Sequence, residues 1–370
     1  MIENIVNENM KKLNINSLAI AYSGGVDSVV LCHILIKLGY SVIPIHFNHN
    51  MRKESALEEE YIRNNIENVK IGKCSHEIKS EKQARELRYN YFNTVMDSYN
   101  LDYLATGHHA NDKVENFLMR LVKGTTLSGL NGLSFISENN LLKNKTIIRP
   151  LINVKKKDIY KYAEENNLTW FEDSTNKELN YERNRYRNKY IPQLEDENKL
   201  AVEHILSLSE EIEDVYQYLK DSVNLKYSEN IKFTLFNQPY LPIKLFTENK
   251  MFSKEMLIKL LKNKKYIQIS KDMFDKYLLF IVESSVNSKV SISKDIHLFK
   301  DIIDGEEVVI LIDDSLNIKE QFPKYEKGKM KEKYNNNRIK NVFSENKTPY
   351  YLRKECLVLR ENDLIVDLIK

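Results

Sequence analysis

Between residues 17 and 122 the apolar positions change period several times. Leu18, Ala19, Ile20, Ala21 and Tyr22 form a short unbroken apolar run, and Val29, Val30, Leu31, Ile34, Leu35 and Leu38 then return at helical spacing. A short run of the first kind fits a buried strand, and the second pattern fits a helix. The same reading predicts strands at Leu18–Tyr22, Val42–Phe47 and Tyr103–Thr106, and helices at Ser28–Leu38, Ala56–Asn68, Lys82–Ser98 and Asn111–Val122. Alternation of this kind predicts an α/β fold, a parallel sheet with helices on both faces. Ile147 to Leu151 reads as a short extended piece, and Lys155 to Lys157 open a helix running to about Asn166. Residues 195–225 carry Leu200, Ile205, Leu208, Ile212, Val215, Tyr218 and Leu219 in a long amphipathic pattern, and two more helical patterns lie within 240–285. From Lys289 onward the pattern turns to short β-like runs at Val290–Ile292, Val308–Leu311, Leu357–Leu359 and Leu364–Leu368. Three parts are therefore expected: an α/β domain over 1–195, a connector helix and helical domain over 196–288, and a small basic α+β domain over 289–370.

Where strand period gives way to helix period, the chain reads Ser23-Gly24-Gly25-Val26-Asp27-Ser28. Backbone amides of such a turn, with the positive end of the helix behind them, make a natural seat for a phosphate-like anion. Adjacent glycines let the backbone approach it without a Cβ. A plain glycine turn with Asp27 and Ser28 capping the helix is the simpler account; the strand before, the helix after and the acid inside favour the anion seat. The loop lacks the Gly-Lys-Ser/Thr of the Walker pattern and the third glycine of the dinucleotide pattern.

Ligands of open α/β sheets sit beyond the carboxyl ends of the strands, so the segments that follow other strands should share this crevice. One is His46-Phe47-Asn48-His49-Asn50-Met51-Arg52, whose two histidines and arginine, His46, His49 and Arg52, suit contacts to base, ribose or phosphate and equally suit plain surface decoration. The other is Thr106-Gly107-His108-His109-Ala110-Asn111-Asp112-Lys113-Val114-Glu115. Asp112 and Glu115 lie three apart in a helix's first turn, where they complement its dipole. They would also hold a cation, either Mg²⁺ on nucleotide phosphates or the ammonium of an amine substrate. Of His108 and His109, one is expected to be structural.

Arg85, Arg88 and Phe92 recur on one helical face. The glycine-dense, hydroxyl-rich stretch from Lys123 to Gly132 is too polar for a core element and suits a loop closing over a substrate. Arg183, Arg185 and Arg187 interleave with Tyr181 and Tyr186, which fits phosphate contacts with base stacking, although Glu178 and Glu182 dilute the charge.

Composition narrows the field. Lys and Arg number 56 against 53 Asp and Glu, so the net charge of +3 alone says little about nucleic acid. The distribution says more: residues 317–354 hold eleven Lys or Arg against four Glu, with Tyr325, Tyr334, Tyr350 and Tyr351 among them. That segment suits a phosphate backbone or a basic linker. Cys32, Cys74 and Cys356 are scattered, which argues against a disulfide framework or a clustered zinc site and fits a reducing cytoplasm. The polar, charged start predicts no signal peptide, and no apolar run reaches bilayer-spanning length. Oligomeric state is open, a homodimer included.

The loop at 23–28 resembles the pyrophosphate loop of the N-type ATP pyrophosphatases. Together with His46 to Arg52, Ala84 to Tyr89, His108 to Glu115 running into Lys123-Gly124, Arg149-Pro150-Leu151 and Glu172-Asp173 through Asn176 to Arg187, it resembles the tRNA(Ile)-lysidine synthetases over residues 17–192. Asn116, for a small hydroxyl residue, and Lys123, for an arginine, depart from the family's pattern. The resemblance implies that ATP adenylates the C2 oxygen of the wobble cytidine in a CAU-anticodon isoleucine tRNA. The side-chain amine of free L-lysine then displaces AMP. It also implies that Ser23, Gly24, Gly25, Val26, Asp27 and Ser28 hold ATP, with Asp27 on Mg²⁺, and that Asp27, Asp112 and Glu115 are catalytic. His49, Arg52, Arg85, Arg88, His108, His109, Arg149, Arg183 and Arg187 are the expected substrate and tRNA contacts. A tRNA thiolase on the same loop, and an RNA-binding protein without catalysis, are the alternatives. The first needs a cysteine cluster near the acceptor. The second has no need of clustered acids beside an anionic ligand.

Overall fold

The computed structural model describes residues 2–50, 55–74, 80–172, 182–234, 237–262, 270–314, 326–327, 333–335, 337–345, 357–361 and 364–368. Two compact units divide the chain, Met1–Tyr216 and Gln217–Lys370.

The first unit opens with α1 (Ile2–Lys11), followed by β1 (Ser17–Ala21), α2 (Val26–Lys37), β2 (Ser41–Asn48), α3 (Ser55–Asn65), β3 (Lys70–Lys73) and α4 (Glu81–Ser98). It continues with β4 (Tyr103–Ala105), α5 (Ala110–Lys123), α6 (Leu127–Leu130), β5 (Ile136–Glu138), β6 (Thr146–Ile148) and α7 (Lys156–Glu165). The sheet order is β3-β2-β1-β4-β6-β5, parallel throughout except for β5, which pairs antiparallel with β6. Strand side chains alternate between two covered faces, as a parallel sheet requires. Leu18 and Ile20 face a core built with Val6 and Met10 of α1, Val30 and Ile34 of α2 and Ile159 of α7. Ala19 and Ile45 face the other core with Phe92, Val95 and Met96 of α4. The expected α/β architecture is observed.

Several elements of this unit went unpredicted, α1, β3, β5 and α6 among them. In α1, Ile2, Val6 and Met10 form a buried stripe four residues apart inside a sequence dominated by amides and charges. β3 is a polar edge strand, and Gly72 lies in it because an added Cβ would fall 2.6 Å from the Tyr91 ring. α6 forms in the glycine-rich stretch, and none of its residues is buried.

From residue 182, α8 (Glu182–Arg185) passes through a π-helical turn (Tyr186–Tyr190) into α9 (Ile191–Glu197). The long helix predicted from residue 195 is thus broken, and α10 runs over Ala201–Asn230. Ile191 and Val202 pack on Val114 of α5.

The second unit divides differently from the three-part expectation. β7 (Lys232–Phe233) and β8 (Pro239–Pro242) join β9 (Lys289–Ser291), β10 (Ile296–Ile303) and β11 (Glu306–Asp313) in one antiparallel sheet, order β7-β8-β11-β10-β9. Strands from both sides of residue 288 therefore share a sheet, packed against α11 (Lys250–Lys262) and α12 (Lys271–Glu283). Proline-bounded β8 is only four residues long and entirely buried, so it carries no alternating pattern to betray it. Short strands β12 (Glu326–Lys327), β15 (Leu357–Glu361) and β16 (Leu364–Leu368) form a further sheet, and β13 (Lys333–Tyr334) pairs with β14 (Asn337–Arg338). Much of the basic 317–354 segment, with Tyr325, Tyr350 and Tyr351, lies outside the described residues.

Candidate functional site

β1 and β4 are neighbours whose onward connections leave toward opposite edges of the sheet, and such a switch point opens a crevice at the strands' carboxyl ends. The loop after β1 and the loop after β4 meet there. A Cβ added to Gly107 would lie 3.0 Å from Asp27 Cβ, 3.1 Å from its carbonyl carbon and 3.2 Å from Ser28 N, so the loops abut backbone to backbone.

Within 23–28 the amides fall into two groups. Gly24 adopts a φ of 85°, open to glycine, and its carbonyl accepts from Phe171 N at 3.0 Å. Ser23 N and Gly24 N both donate to Ser28 Oγ at 3.2 Å, and Gly25 N donates to Ser23 Oγ at 3.3 Å. Ser28 Oγ in turn donates to the Gly25 carbonyl at 2.9 Å. The loop's first three amides are thus satisfied by its own serines. Val26, Asp27 and Ser28 begin α2, where first-turn amides have no acceptor within the helix and carry its positive dipole end.

Asp27 is partnered by a residue that sequence reading passed over. Lys156 Nζ lies 2.6 Å from Asp27 Oδ1. Lys156 is the first residue of α7, its amide donates to Asn111 Oδ1 at 2.9 Å, and its ammonium lies 5.0 Å from the Tyr160 ring centre. The signal was topological: α7 begins shortly after β6 ends, on the crevice side of the sheet.

His109 Nε2 stands between two acids, 3.7 Å from Asp27 Oδ1 and 3.5 Å from Asp112 Oδ2. Burial holds its imidazole below the ordinary histidine range although Asp112 and Asp27 pull the other way. Asp112 Oδ2 also accepts from His109 N at 3.0 Å, at the start of α5.

Asp112 and Glu115 are buried, and both are already engaged. Arg183 donates through Nε to Glu115 Oε2 at 2.9 Å and through Nη2 to Asp112 Oδ1 at 2.6 Å. Arg187 donates through Nε to Glu115 Oε1 at 2.6 Å, and through Nη2 to Glu115 Oε2 at 3.0 Å and Asp112 Oδ1 at 3.1 Å. Burial opposes the charge of Asp112, but the Arg183 guanidinium and the His109 backbone amide outweigh it and hold the carboxyl below its ordinary range. Burial likewise opposes both guanidinium charges, and the acids outweigh it. The expectation of arginines reaching for phosphate and acids free for an amine therefore meets a different geometry: the four groups neutralise one another. Arg183 lies in α8 and Arg187 in the π-helical turn itself, a distortion often found at functional sites.

His108 Nδ1 pairs with Thr106 Oγ1 at 2.8 Å, and burial pushes its pKa down to about 4. His46 donates from Nδ1 to the Tyr22 carbonyl at 2.9 Å, and burial keeps it neutral. His49 meets Phe47 edge-on at 5.0 Å, with its Nδ1 buried and lacking a hydrogen-bond partner among the described residues. Arg85 and Arg88 lie over the Tyr89 ring at 5.1 and 5.8 Å. Arg149 is buried and braces the chain before β5 and in it, donating from Nη1 to the Ser134 carbonyl and Ser137 Oγ at 2.9 Å each. Arg52 and the Asp173–Asn176 stretch lie outside the described residues. A cleft of about 1490 Å³ is lined by Asp27, His49, Arg85, Arg88, His108 and Asp112, and by Arg149, Arg183 and Arg187 as well.

Asn116 and Arg120, one and two turns after Asp112, form the cleft wall beside Gly132, where a Cβ would clash with Asn116 Oδ1 at 2.2 Å. Arg120 Nη1 donates to the Gly129 carbonyl at 2.6 Å, tying the α6 stretch to α5.

Residues 1–194 match the family model described as the PP-loop domain. Among curated proteins, the tRNA(Ile)-lysidine synthase of Streptococcus pyogenes serotype M3 is 32% identical over 289 residues, covering 76% of this chain and 63% of that protein. The tRNA(Ile)-lysidine synthase of Streptococcus agalactiae serotype V is 39% identical over 209 residues, 55% of this chain and 47% of that protein. The chain thus spans under two thirds of the length of these relatives. A solved structure of the U34-tRNA thiolase NcsA from Methanococcus maripaludis with its [4Fe-4S] cluster is similar over 57% of this chain and 78% of that one, at 17% identity and a TM-score of 0.45.

Proposed function

The chain belongs to the PP-loop domain family, and on that premise we propose that it is an ATP-dependent ligase joining free lysine to the wobble cytidine of a CAU-anticodon isoleucine tRNA. The observation that carries the reading is the backbone contact between Gly107 and Asp27, which sets an anion-seating loop and a buried acid cluster around one crevice. Likeness to relatives named tRNA(Ile)-lysidine synthase supports the choice of acceptor.

In this reading the first-turn amides of α2 hold the departing pyrophosphate, and the serine hydroxyls give up the loop's other amides to phosphate oxygens. Among the described residues no group of three or more His, Cys, Asp or Glu is arranged to hold a metal ion. A Mg²⁺ carried by the nucleotide fits, because such an ion needs only one or two carboxylates besides phosphates and water, and Asp27 would supply one. When bound, it would screen the negative charge of the phosphates. The cytidine C2 oxygen attacks the α-phosphorus and the bond to the β-phosphate breaks. The lysine amine then attacks C2, and the C2–O bond breaks with AMP as leaving group.

The amine must be neutral to attack. Asp112, which lines the cleft and whose carboxyl lies below its ordinary range, would receive and orient the amine as it loses its proton, with Glu115 behind it bracing Arg183 and Arg187. Neutral His109, between Asp27 and Asp112, links the phosphate side of the crevice to the acid side. Arg85 and Arg88, seated on Tyr89, suit contacts to the tRNA.

A thiolase would need a reactive cysteine near the acceptor. Cys32 is buried within α2 with its thiol pushed up to about 12 by burial, and Cys74 is buried just past β3. Neither of these two described cysteines suits sulfur transfer, which favours the ligase; Cys356 lies outside the described residues. Incubation with ATP, labelled lysine and CAU-anticodon isoleucine tRNA, followed by nucleoside analysis, tests the proposal. Label in the wobble nucleoside is the expected result; sulfur incorporation or an unmodified cytidine would sink it.

A further inference from the structure

Resting on this reading, the Lys156–Asp27 pair points to a role for a residue that stands outside the loop motifs. Three facts bear on it. The carboxylate best placed to serve a divalent cation already holds an ammonium at 2.6 Å. The loop amides of Ser23 and Gly24, suited to phosphate oxygens, already hold the Ser28 hydroxyl. Both members of the pair are partly open, with side chains 29% and 30% exposed, so neither is locked in a core. The site is thus charge-balanced by its own side chains: a lysine occupies the cation's place and a hydroxyl the anion's.

Lys156 is also built to move without losing its base. Its main chain is pinned by Asn111 at the start of α7, while its ammonium, held by Asp27 and lying over the Tyr160 ring, ends a four-carbon stem of rotatable bonds. A cation arriving with a nucleotide competes with it for Asp27, and the displaced ammonium then faces the polyphosphate that brought the cation.

We propose that Lys156 is an exchange ligand, neutralising Asp27 in the nucleotide-free protein and passing to the departing pyrophosphate when a divalent cation takes the carboxylate. The role makes opposite demands on two equilibria, which separates it from a plain structural salt bridge. Without its competitor, Asp27 in Lys156→Gln should bind Mn²⁺ alone about tenfold more tightly, while Mn²⁺-dependent binding of inorganic pyrophosphate should weaken about tenfold. Lys156→Arg should keep both constants near wild type. In Asp27→Asn the lysine is released, so metal-free pyrophosphate should bind more tightly than to wild type, and the double variant Asp27→Asn/Lys156→Gln should cancel that gain.

Mn²⁺ affinity read by electron paramagnetic resonance and pyrophosphate affinity read by calorimetry provide the constants, and Asp27→Asn keeps the test decisive if Lys156→Gln folds poorly. An unchanged Mn²⁺ constant in Lys156→Gln, or a gain in metal-free pyrophosphate binding that survives in the double variant, overturns the proposal. Neither readout involves lysine or tRNA, so failure here is distinguishable from failure of the ligase reading, which shows only in nucleoside analysis.

Discussion

Arg187 grips Glu115 in a bidentate contact through one edge of its guanidinium, Nε to Oε1 at 2.6 Å and Nη2 to Oε2 at 3.0 Å. The carboxylate is 1% exposed, and this contact and that of Arg183 stand in for its lost hydration. The acids at the proposed lysine seat are therefore held in shape before any substrate arrives.

Removing one partner should cost more than removing both. A cycle of Glu115→Gln, Arg187→Gln and the double variant, followed by urea unfolding, should give a coupling of about 1–3 kcal/mol. Additive losses would mean that the contact does not hold in solution.

Gly107→Ala tests the abutting loops. Its Cβ would meet the backbone of Asp27 and Ser28, which cannot swing aside as a flexible side chain would. Overpacking of this kind costs about 1–3 kcal/mol. Because the displaced atoms belong to the anion loop, ATP affinity should fall about tenfold. Equilibrium ATP binding checks this, and an unchanged constant would argue that the loops are slack.

Stability should depend on pH through His108. Its pKa is depressed to about 4 in the folded protein from 6.5. The unfolded chain then binds more protons between these values, so stability is full above about 6.5 and is lost as pH falls toward 4. His109, also lowered by burial, acts in the same direction. Unfolding midpoints across that window should fall less steeply in His108→Gln. Parallel profiles would mean that His108 is not held neutral by the fold.

The arginines should divide by role. Arg85→Gln, removing a cation that sits over Tyr89 in the cleft, should lower the salt slope of tRNA binding by about 1. Arg187→Gln should abolish lysine transfer while leaving that slope nearly unchanged, since its charge is spent on Glu115 and Asp112. Filter binding across a salt series reads both, and equal slopes in the two variants would return Arg187 to the tRNA surface.

Local pattern made the α/β half legible. Period-2 and period-3.6 runs are written residue by residue, and the two loops that matter sit where one period yields to the other. The topological rule for parallel sheets then puts the Ser23–Ser28 and Thr106–Glu115 segments at one crevice from sequence alone. Short elements with little apolar signature, such as β3 and β8, gave no such trace, and the sheet that crosses residue 288 depends on pairings far apart in sequence.

The order of residues by itself determined the sheet, the anion loop and the acids beside it, because each is a property of neighbours along the chain. Tertiary structure alone decided which charge meets which. Arg183 and Arg187 lie 68 or more residues from Glu115, and Lys156 lies 129 from Asp27. A side chain's partner is fixed by packing and by the cost of burying a charge alone, neither of which is visible in a local window. So the residues read as hands for a nucleic acid proved to be holding the acids, and the lysine holding Asp27 had drawn no notice.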